Sequence, residues 1–263
     1  MPRRRRCINP DHLQHITQRC HRKCYFLKPS PETNEAIGSV LARGLELYDV
    51  TLYAAVAMSN HMHLILQGEP NAVVRFCQYV FSQIARKVNA ILDREGKFWD
   101  GRYKIEPVLD NGGVWQMIRY VYLNPVRADL CEAASDWVGF STLSESLGAA
   151  PREYRFFDRQ AYRKARRTNP EVDPEDFEIV HRLELAPAPQ YADAPELYSE
   201  LLQDALRRDE QELGFERMNE GRVVSNPREL AQLSPTYRPE NPKRTRRRRF
   251  CHAASAAVRE AWN

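Results

Sequence analysis

The chain has 263 residues, of which 43% are hydrophobic, and this length suffices for one domain with a sizeable core and an appendage. No apolar run approaches the ~20 residues of a transmembrane helix. The first ten residues, MPRRRRCINP, are basic but no apolar stretch follows them, which argues against a secretory signal. We therefore expect a cytoplasmic protein.

The net charge of +4 hides an uneven distribution of charge along the chain. Residues 1–130 hold 18 basic and 12 acidic side chains, whereas residues 170–220 hold 15 acidic and 4 basic ones. Residues 243–249, KRTRRRR, form a last basic block, for which a solvated tail is the simpler interpretation when it is taken alone. Basic blocks around a globular middle nevertheless favour a polyanionic partner.

Between residues 12 and 124 the sequence predicts a regular succession of strands and helices from its apolar periodicity and its turn residues. The predicted elements are a strand at 12–20, a helix at 30–49, a hairpin of two strands at 50–58 and 61–68, a helix at 71–93, a strand at 98–110 and a helix at 112–124. This order predicts an α+β fold, a ferredoxin-like antiparallel sheet with helices on one face.

Beyond residue 150 we expect a mostly helical extension that is basic and then acidic. Residues 152–167 predict one basic amphipathic helix, residues 186–195 a Pro/Ala linker, residues 195–213 a helix and residues 220–250 irregular or disordered chain. The predicted organisation is a basic arm at 1–11, a domain at 12–150, the basic helix and following segment at 151–185 and a partly disordered extension at 186–263.

The second strand of the hairpin contains two histidines separated by one residue, in the stretch SNHMHLIL. Successive side chains of a strand point to opposite faces, so His61 and His63 share a face and Met62 lies on the other. Two imidazoles placed in this way can bind one cation together. Taken alone, the pair is more often surface or core histidine than a metal site.

The helix at 112–124 offers a polar line beside its apolar stripe. Gln116, Tyr120 and Asn124 follow each other at i, i+4 and i+8, so Tyr120 and Asn124 are neighbours one turn apart. Pro125 disfavours helical geometry at Asn124 and predicts that the helix ends there. In isolation, Tyr120 could equally be an exposed aromatic residue.

Three stretches, YAAVAMSNHMHLIL, GKFWDGRYK and IRYVYLNPVRADL, together resemble the IS200-like Y1 transposases, and most closely their REP-associated tyrosine transposase branch within the HUH endonucleases. The resemblance covers residues from about 12 to about 145, and the chain beyond 150 has no counterpart in it. It implies a ferredoxin-like fold and metal-dependent cleavage and joining of single-stranded DNA near hairpins.

The resemblance also implies roles for individual residues, with Tyr120 as the nucleophile and His61, His63 and Asn124 as ligands of Mg²⁺ or Mn²⁺. Attack by Tyr120 would attach the 5′ phosphate to the phenol and release a 3′-hydroxyl. Arg102 and Arg127 lie in the matched motifs and are expected to contact DNA, whereas Trp99 and Tyr103 match a motif without an assigned role. The expected partners are single-stranded hairpins at repetitive extragenic palindromes, and a monomer is preferred over a dimer.

The basic stretch after residue 150 predicts a second DNA contact without reference to any family. On one helix, five arginines spaced by 3, 4, 4 and 3 residues form a ridge suited to a run of phosphates, namely Arg152, Arg155, Arg159, Arg163 and Arg166. The alternative is a solvated basic helix. Two other functions stay open for the whole chain: a non-catalytic hairpin-binding protein derived from a transposase, and a relaxase or replication initiator.

Overall fold

The computed structural model describes residues 8–225, 227–239 and 251–258. Its strands and helices, in chain order, are β1 (Leu13–Arg19), α1 (Pro31–Leu47), β2 (Val50–Met58), β3 (His61–Gly68), α2 (Pro70–Ile91), β4 (Lys104–Val108), α3 (Asn111–Tyr122), α4 (Asn124–Arg127), α5 (Leu143–Ser146), β5 (Arg152–Phe157), α6 (Arg159–Thr168), β6 (Glu178–Leu183), α7 (Pro195–Asn219) and α8 (Pro227–Gln232).

The first four strands form one sheet in the order β2-β3-β1-β4, and every neighbouring pair is antiparallel. Strands β2 and β3 are the predicted hairpin, joined at Ser59 and Asn60. The order of strands and connecting helices is the ferredoxin-like one, so the predicted fold class is confirmed. The central strand β1 pairs with β3 on one side and with β4 on the other, which brings residues from three strands to the middle of the sheet.

The two faces of the sheet carry different helices. Met62 and Leu64 belong to the core shared with α1 and α2, which lie on one face as predicted, whereas the third predicted helix does not share that face. Helix α3 lies on the opposite face, where its buried Ile118 and Val121 belong to the same cluster as Ile65. Strands β2 and β3 are buried along most of their length on both faces, and such strands need a cover on each side.

Helix α3 begins with a cap and ends two residues earlier than predicted. The carboxylate of Asp110 accepts a hydrogen bond from the amide of Gly113 at 2.5 Å, which satisfies a free donor of the first turn. The helix ends at Tyr122, and α4 begins at Asn124 with Pro125 in its first turn, where the missing amide of proline costs nothing.

The single basic helix predicted over residues 152–167 is wrong. Arg152–Phe157 form β5, which pairs antiparallel with β6, and only Arg159–Thr168 are helical. Two physical features explain the difference. Tyr154 is buried and packs against Gly38 of α1, and Asp158 breaks the run by capping α6, since its carboxylate accepts from Gln160 and Ala161.

Helix α7 confirms the helix predicted from residue 195, although it continues to Asn219. It is fastened to the domain by two ion pairs, Arg119 with Asp209 at 2.7 Å and Arg217 with Asp129 at 2.9 Å. The run KRTRRRR and the first seven residues lie outside the described part of the chain, as do residues 226 and 240–250 of the segment predicted to be irregular or disordered. The described part of that segment contains α8, so the prediction of irregular chain is wrong for Pro227–Gln232. No helix among the described residues is long and apolar enough to cross a membrane.

Candidate active site

Strand β3 presents His61 and His63 on the face of the sheet that α3 covers. Their ring centroids lie 4.9 Å apart. The Nδ1 atom of His61 lies 2.6 Å from the side-chain oxygen of Asn60, so its proton is donated there and Nε2 carries the free lone pair. The Nε2 atom of His63 is buried and has no hydrogen-bond partner among the described residues. Each histidine thus keeps one nitrogen available for a ligand.

Both imidazoles are held in the neutral form that metal binding requires. Burial, followed by the positive charge of Arg19, lowers the pKa of His61 to about 4. Burial and the neighbouring His61, His15 and Arg19 lower the pKa of His63 well below its ordinary value. Neither ring has to lose a proton near neutral pH before it can coordinate a cation.

Helix α3 places Tyr120 over the histidines. The ring centroid of Tyr120 lies 6.0 Å from that of His63 and 6.3 Å from that of His15, edge to face in both cases. The guanidinium carbon of Arg127, at the end of α4, lies 5.9 Å from the centroid of the Tyr120 ring. The phenol therefore lies next to imidazoles on one side and next to a permanent positive charge on another.

Asn124 is partly buried one turn beyond Tyr120. Its amide nitrogen donates to the carbonyl of Tyr120 at 2.8 Å, which leaves the side-chain oxygen as the atom that could ligate a cation. The next tyrosine, Tyr122, has a different environment, since it is buried and its hydroxyl lies 3.1 Å from that of Thr142 and 2.5 Å from that of Ser146. Burial raises the pKa of Tyr122 to about 12, so it is a poor nucleophile compared with Tyr120.

Behind His63, the sheet carries polar residues that the sequence analysis missed. The Nδ1 atom of His63 lies 2.9 Å from Nε2 of His15 and 3.3 Å from the hydroxyl of Thr17, both on β1. On the far side of His15, Nδ1 lies 3.7 Å from the carboxylate of Glu106 on β4. Burial alone would raise the pKa of Glu106, but the imidazoles of His15 and His252 hold its carboxylate in the charged form, and the pKa falls to about 2.

Two further residues lie close to this group of side chains. Arg19 is exposed at the end of β1, directly opposite His61 in the strand register. His252, from the segment at 251–258, lies 3.1 Å from Glu106. Strand alternation could have revealed His15, Thr17 and Arg19, because they share one face of the predicted first strand. His252 is far away in sequence and gave no local signal.

The arginines predicted to contact DNA occupy different environments. Arg102 and Arg127 are exposed, as are Arg159, Arg163 and Arg166, which keep a shorter ridge on α6. Arg155 lies on β5, exposed and 3.5 Å from Glu178. Arg152 binds the buried carboxylate of Glu145 and the carbonyl of Ser141, so its guanidinium already holds β5 in place.

Trp99 and Tyr103 have a structural role. The indole of Trp99 donates to the carbonyl of Phe81 at 2.7 Å, and both rings pack on the Phe81 ring with centroids 5.5 Å away. The motif that contains them therefore ties the chain before β4 to helix α2. It does not belong to the group of residues around Tyr120.

The residues around His63 fit a divalent cation. A buried imidazole nitrogen without a partner is costly unless something binds it, and His63 presents one next to His61. Two imidazoles suit a transition-metal ion or Mn²⁺, and Mg²⁺ to a lesser degree.

Comparison with known proteins finds similarity over the part of the chain that holds the site. Residues 6–123 match the family model described as Transposase IS200 like. A REP-associated tyrosine transposase bound to a REP hairpin superposes with a TM-score of 0.46 at 19% identity, over 56% of this chain and 86% of that chain. A protein from Deinococcus radiodurans R1 described as a candidate transposase superposes with a TM-score of 0.33 at 18% identity, over 46% of this chain and 95% of that chain.

No curated protein matches the chain. The family model spans the whole sheet, α1, α2 and α3, including the histidine pair and Tyr120. The similarity to the IS200-like transposases therefore covers residues 6–123, which is less than half of this chain.

Proposed function

We propose that the protein is a metal-dependent endonuclease and strand transferase that cleaves single-stranded DNA near hairpins through a 5′-phosphotyrosine intermediate. The observation that carries the proposal is the position of Tyr120, whose ring centroid lies 6.0 Å from His63, next to a second imidazole with a free nitrogen. A phenol, a pair of neutral imidazoles and exposed arginines are the groups that a phosphoryl transfer to tyrosine needs.

Tyr120 is the nucleophile in this mechanism. Its phenol oxygen bonds to the phosphorus of the scissile phosphate, and the bond from that phosphorus to the 3′ oxygen of the preceding nucleotide breaks. The phenol loses its proton and the departing 3′ oxygen takes one up. Because the phosphodiester is exchanged for a phosphotyrosine of similar energy, a 3′-hydroxyl can reverse the step and rejoin the strand without ATP.

The other residues hold the phosphate and the charge that develops on it. His61 and His63, with the amide oxygen of Asn124, are the residues that would hold a Mg²⁺ or Mn²⁺ ion. Such an ion supplies neutralisation of the phosphate charge when it is bound. Arg127 lies beside the Tyr120 ring and stabilises the phenolate that forms as the proton leaves. A free tyrosine has a pKa of about 10, so this help is needed near neutral pH.

The proposed DNA path runs over exposed arginines near the site. Arg19 and Arg102 lie close to the same end of the sheet, since the side-chain amide of Gln18 donates to the carbonyl of Gly101 at 3.1 Å. Arg159, Arg163 and Arg166 on α6 form a second exposed basic surface. Arg155 is retained as a minor phosphate contact, and Arg152 contributes to the fold of β5.

The test is a covalent trap. The full chain is incubated with Mn²⁺ and a single-stranded hairpin oligonucleotide that carries a label 3′ of the expected cut, and the products are separated under denaturing conditions. We expect a protein–DNA adduct for the wild type and none for Tyr120→Phe, a loss of more than about 10³-fold if the phenol is the nucleophile.

Tyr122→Phe is the matched control, because it removes a tyrosine hydroxyl two residues away on the same helix. The variant should still form the adduct. Its free energy of unfolding should be lower than that of the wild type, because it loses buried hydrogen bonds to Thr142 and Ser146. If the wild type binds the hairpin but never forms an adduct with either tyrosine, the chain is a non-catalytic hairpin-binding protein instead.

A further inference from the structure

Three side chains that could ligate a metal meet on the active-site face, apart from the His61–His63 pair. His15 on β1, Glu106 on β4 and His252 in the segment 251–258 each bring one ligand atom within 4.8 Å of the others. The distances are 3.1 Å from His252 Nε2 to the Glu106 carboxylate, 3.4 Å from His15 Nδ1 to His252 Nε2 and 3.7 Å from His15 Nδ1 to that carboxylate.

These distances, from 3.1 to 3.7 Å, are centred on those between ligands around a tetrahedral cation. Bonds of roughly 2.0–2.2 Å in a tetrahedral site place ligand atoms about 3.3–3.6 Å apart. A hydrogen bond between His252 and Glu106 accounts for the contact of these two residues. It does not account for His15, whose Nδ1 atom faces both Nε2 of His252 and the same oxygen of Glu106. Two imidazoles and one carboxylate form a recognised set of zinc ligands that leaves the fourth position open.

We propose that His15, Glu106 and His252 form a second divalent metal site, best suited to Zn²⁺, that fastens the segment 251–258 to the catalytic domain. Mg²⁺ fits this site poorly, because two of its three ligands are imidazoles. Its ligands come from two neighbouring strands and from a segment that follows the domain by more than a hundred residues, so metal binding would join distant parts of the chain.

The segment 251–258 already packs against the domain at the place where this metal site, called the clamp from here on, would hold it. The amide of His252 donates to the carbonyl of Pro107 at 2.8 Å, and the amide of Leu109 donates to the carbonyl of His252 at 2.7 Å, which extends the edge of β4. The amide of Ala254 donates to the cap residue Asp110 at 2.9 Å. The clamp therefore touches the start of α3, the helix that carries Tyr120.

A glycine makes this docking possible. A Cβ placed on Gly113 would lie 2.9 Å from the Cα of Ala253, closer than real Cβ contacts allow. The pair Gly112–Gly113 at the start of α3 thus gives the segment room to approach the helix. Gly113→Ala should weaken the clamp and leave the ligands themselves in place.

The second site shares a proton with the catalytic one, a coupling that rests on the proposed role of His63. If His63 holds a metal through Nε2, its proton sits on Nδ1, 2.9 Å from Nε2 of His15. If His15 holds Zn²⁺ through Nδ1, its own proton sits on that Nε2. The N–H groups of His63 and His15 would then face each other. Metal binding at either site should therefore lower the metal affinity of the other site, unless one of these protons leaves.

The first experiment counts zinc by equilibrium dialysis of the full chain, in variants that separate the two sites. His61→Ala disrupts the catalytic pair and leaves all three proposed ligands, so it should retain one Zn²⁺ per chain. His61→Ala with His252→Gln should bind that ion at least about tenfold more weakly, since a ligand is lost. Glu106→Gln in the same background should give the same loss.

Two measurements guard against an effect on folding. The variants should melt within about 2 °C of each other in EDTA, and Co²⁺ added to His61→Ala should give the visible absorption of a four-coordinate ion that the double variant lacks. Equal zinc affinity for His61→Ala and the double variant overturns the proposal, as does absence of zinc from His61→Ala.

A second experiment tests the coupling through the covalent adduct. At a fixed Mn²⁺ concentration, added Zn²⁺ should suppress adduct formation by the wild type at a concentration about tenfold lower than for His252→Gln. Equal suppression removes the coupling. Without Zn²⁺, His252→Gln should form the adduct at the wild-type rate. Absence of an adduct in the wild type would contradict the proposed nuclease activity, whereas equal suppression by Zn²⁺ would contradict only the coupling.

Discussion

The two faces of the four-stranded sheet differ in the side chains that the first half of β3 places on them, which are apolar on one face and polar on the other. Under α1 and α2, Met62 and Leu64 are completely buried among apolar side chains. On the other face of the same strand, His61 and His63 lie close to Tyr120. Nδ1 of His61 contacts Asn60, and Nε2 of His63 has no hydrogen-bond partner among the described residues. The first face gains free energy from burial, and the second accepts buried polar groups that cost free energy.

The difference teaches how one strand can carry stability and chemistry together. Because side chains alternate, a single residue step along β3 moves from the apolar core to the site. The two properties should therefore be separable by mutations at adjacent positions. A residue of one face should change activity and leave the fold, and its neighbour should do the reverse.

The largest effect should come from His63→Ala. The variant removes a proposed metal ligand whose ring centroid lies 6.0 Å from that of Tyr120, so we expect adduct formation in Mn²⁺ to fall by more than about 10³-fold. The free energy of unfolding should change by less than about 2 kcal/mol, because the lost packing is offset by removal of an unpartnered buried nitrogen. Single-turnover adduct formation and urea unfolding measure the two quantities. An unfolded variant would break the comparison.

Leu64→Ala, one residue further, should show the opposite behaviour. Leu64 is completely buried on the α1–α2 face, and its truncation should lower the free energy of unfolding by about 3 kcal/mol. Adduct formation per folded molecule should stay within about threefold of the wild type at low temperature, since the site lies on the other face. A large loss of activity in fully folded Leu64→Ala would mean that the faces are coupled.

The parts of this architecture that the sequence predicted are those with local periodicity. The apolar alternation of β2 and β3 and the stripe of α2 depend on neighbouring residues, so their faces could be assigned before the structure was known. The shared face of His61 and His63 follows from the same rule. The approach of Tyr120 to them was expected from the family resemblance, since no local pattern relates α3 to β3.

The wrong and the missing assignments involve contacts between distant residues. The arginine spacing after residue 150 fits a helix, yet Arg152–Phe157 gain more by pairing with β6 and by burying Tyr154 against α1. This is tertiary packing overriding a local pattern. His252 reaches Glu106 through chain that has no counterpart in the motifs, so no periodicity could have placed it beside His15.

Acid should destabilise the histidine face selectively. Burial depresses the pKa of His61 to about 4 in the folded state, against about 6.5 when unfolded. Between these values the unfolded chain binds the proton more readily, so stability falls as the pH falls from 6.5 towards 4. In EDTA, the wild type should lose up to about 2 kcal/mol more than His61→Gln between pH 7 and pH 5. Identical losses in urea unfolding would show that His61 is not held neutral by the fold.

The smallest effect should come from the arginines outside both faces. Arg159 and Arg163 are exposed on α6, so exchanging both for glutamate should leave stability within about 0.5 kcal/mol. Hairpin affinity at low salt should fall by about tenfold, and the slope of log affinity against log salt should become shallower by about 2, one for each lost phosphate contact. Arg182→Glu with Arg208→Glu is the matched control, because it reverses two exposed arginines away from α6. A control with the same loss would mean that total charge, and not the α6 surface, attracts the DNA.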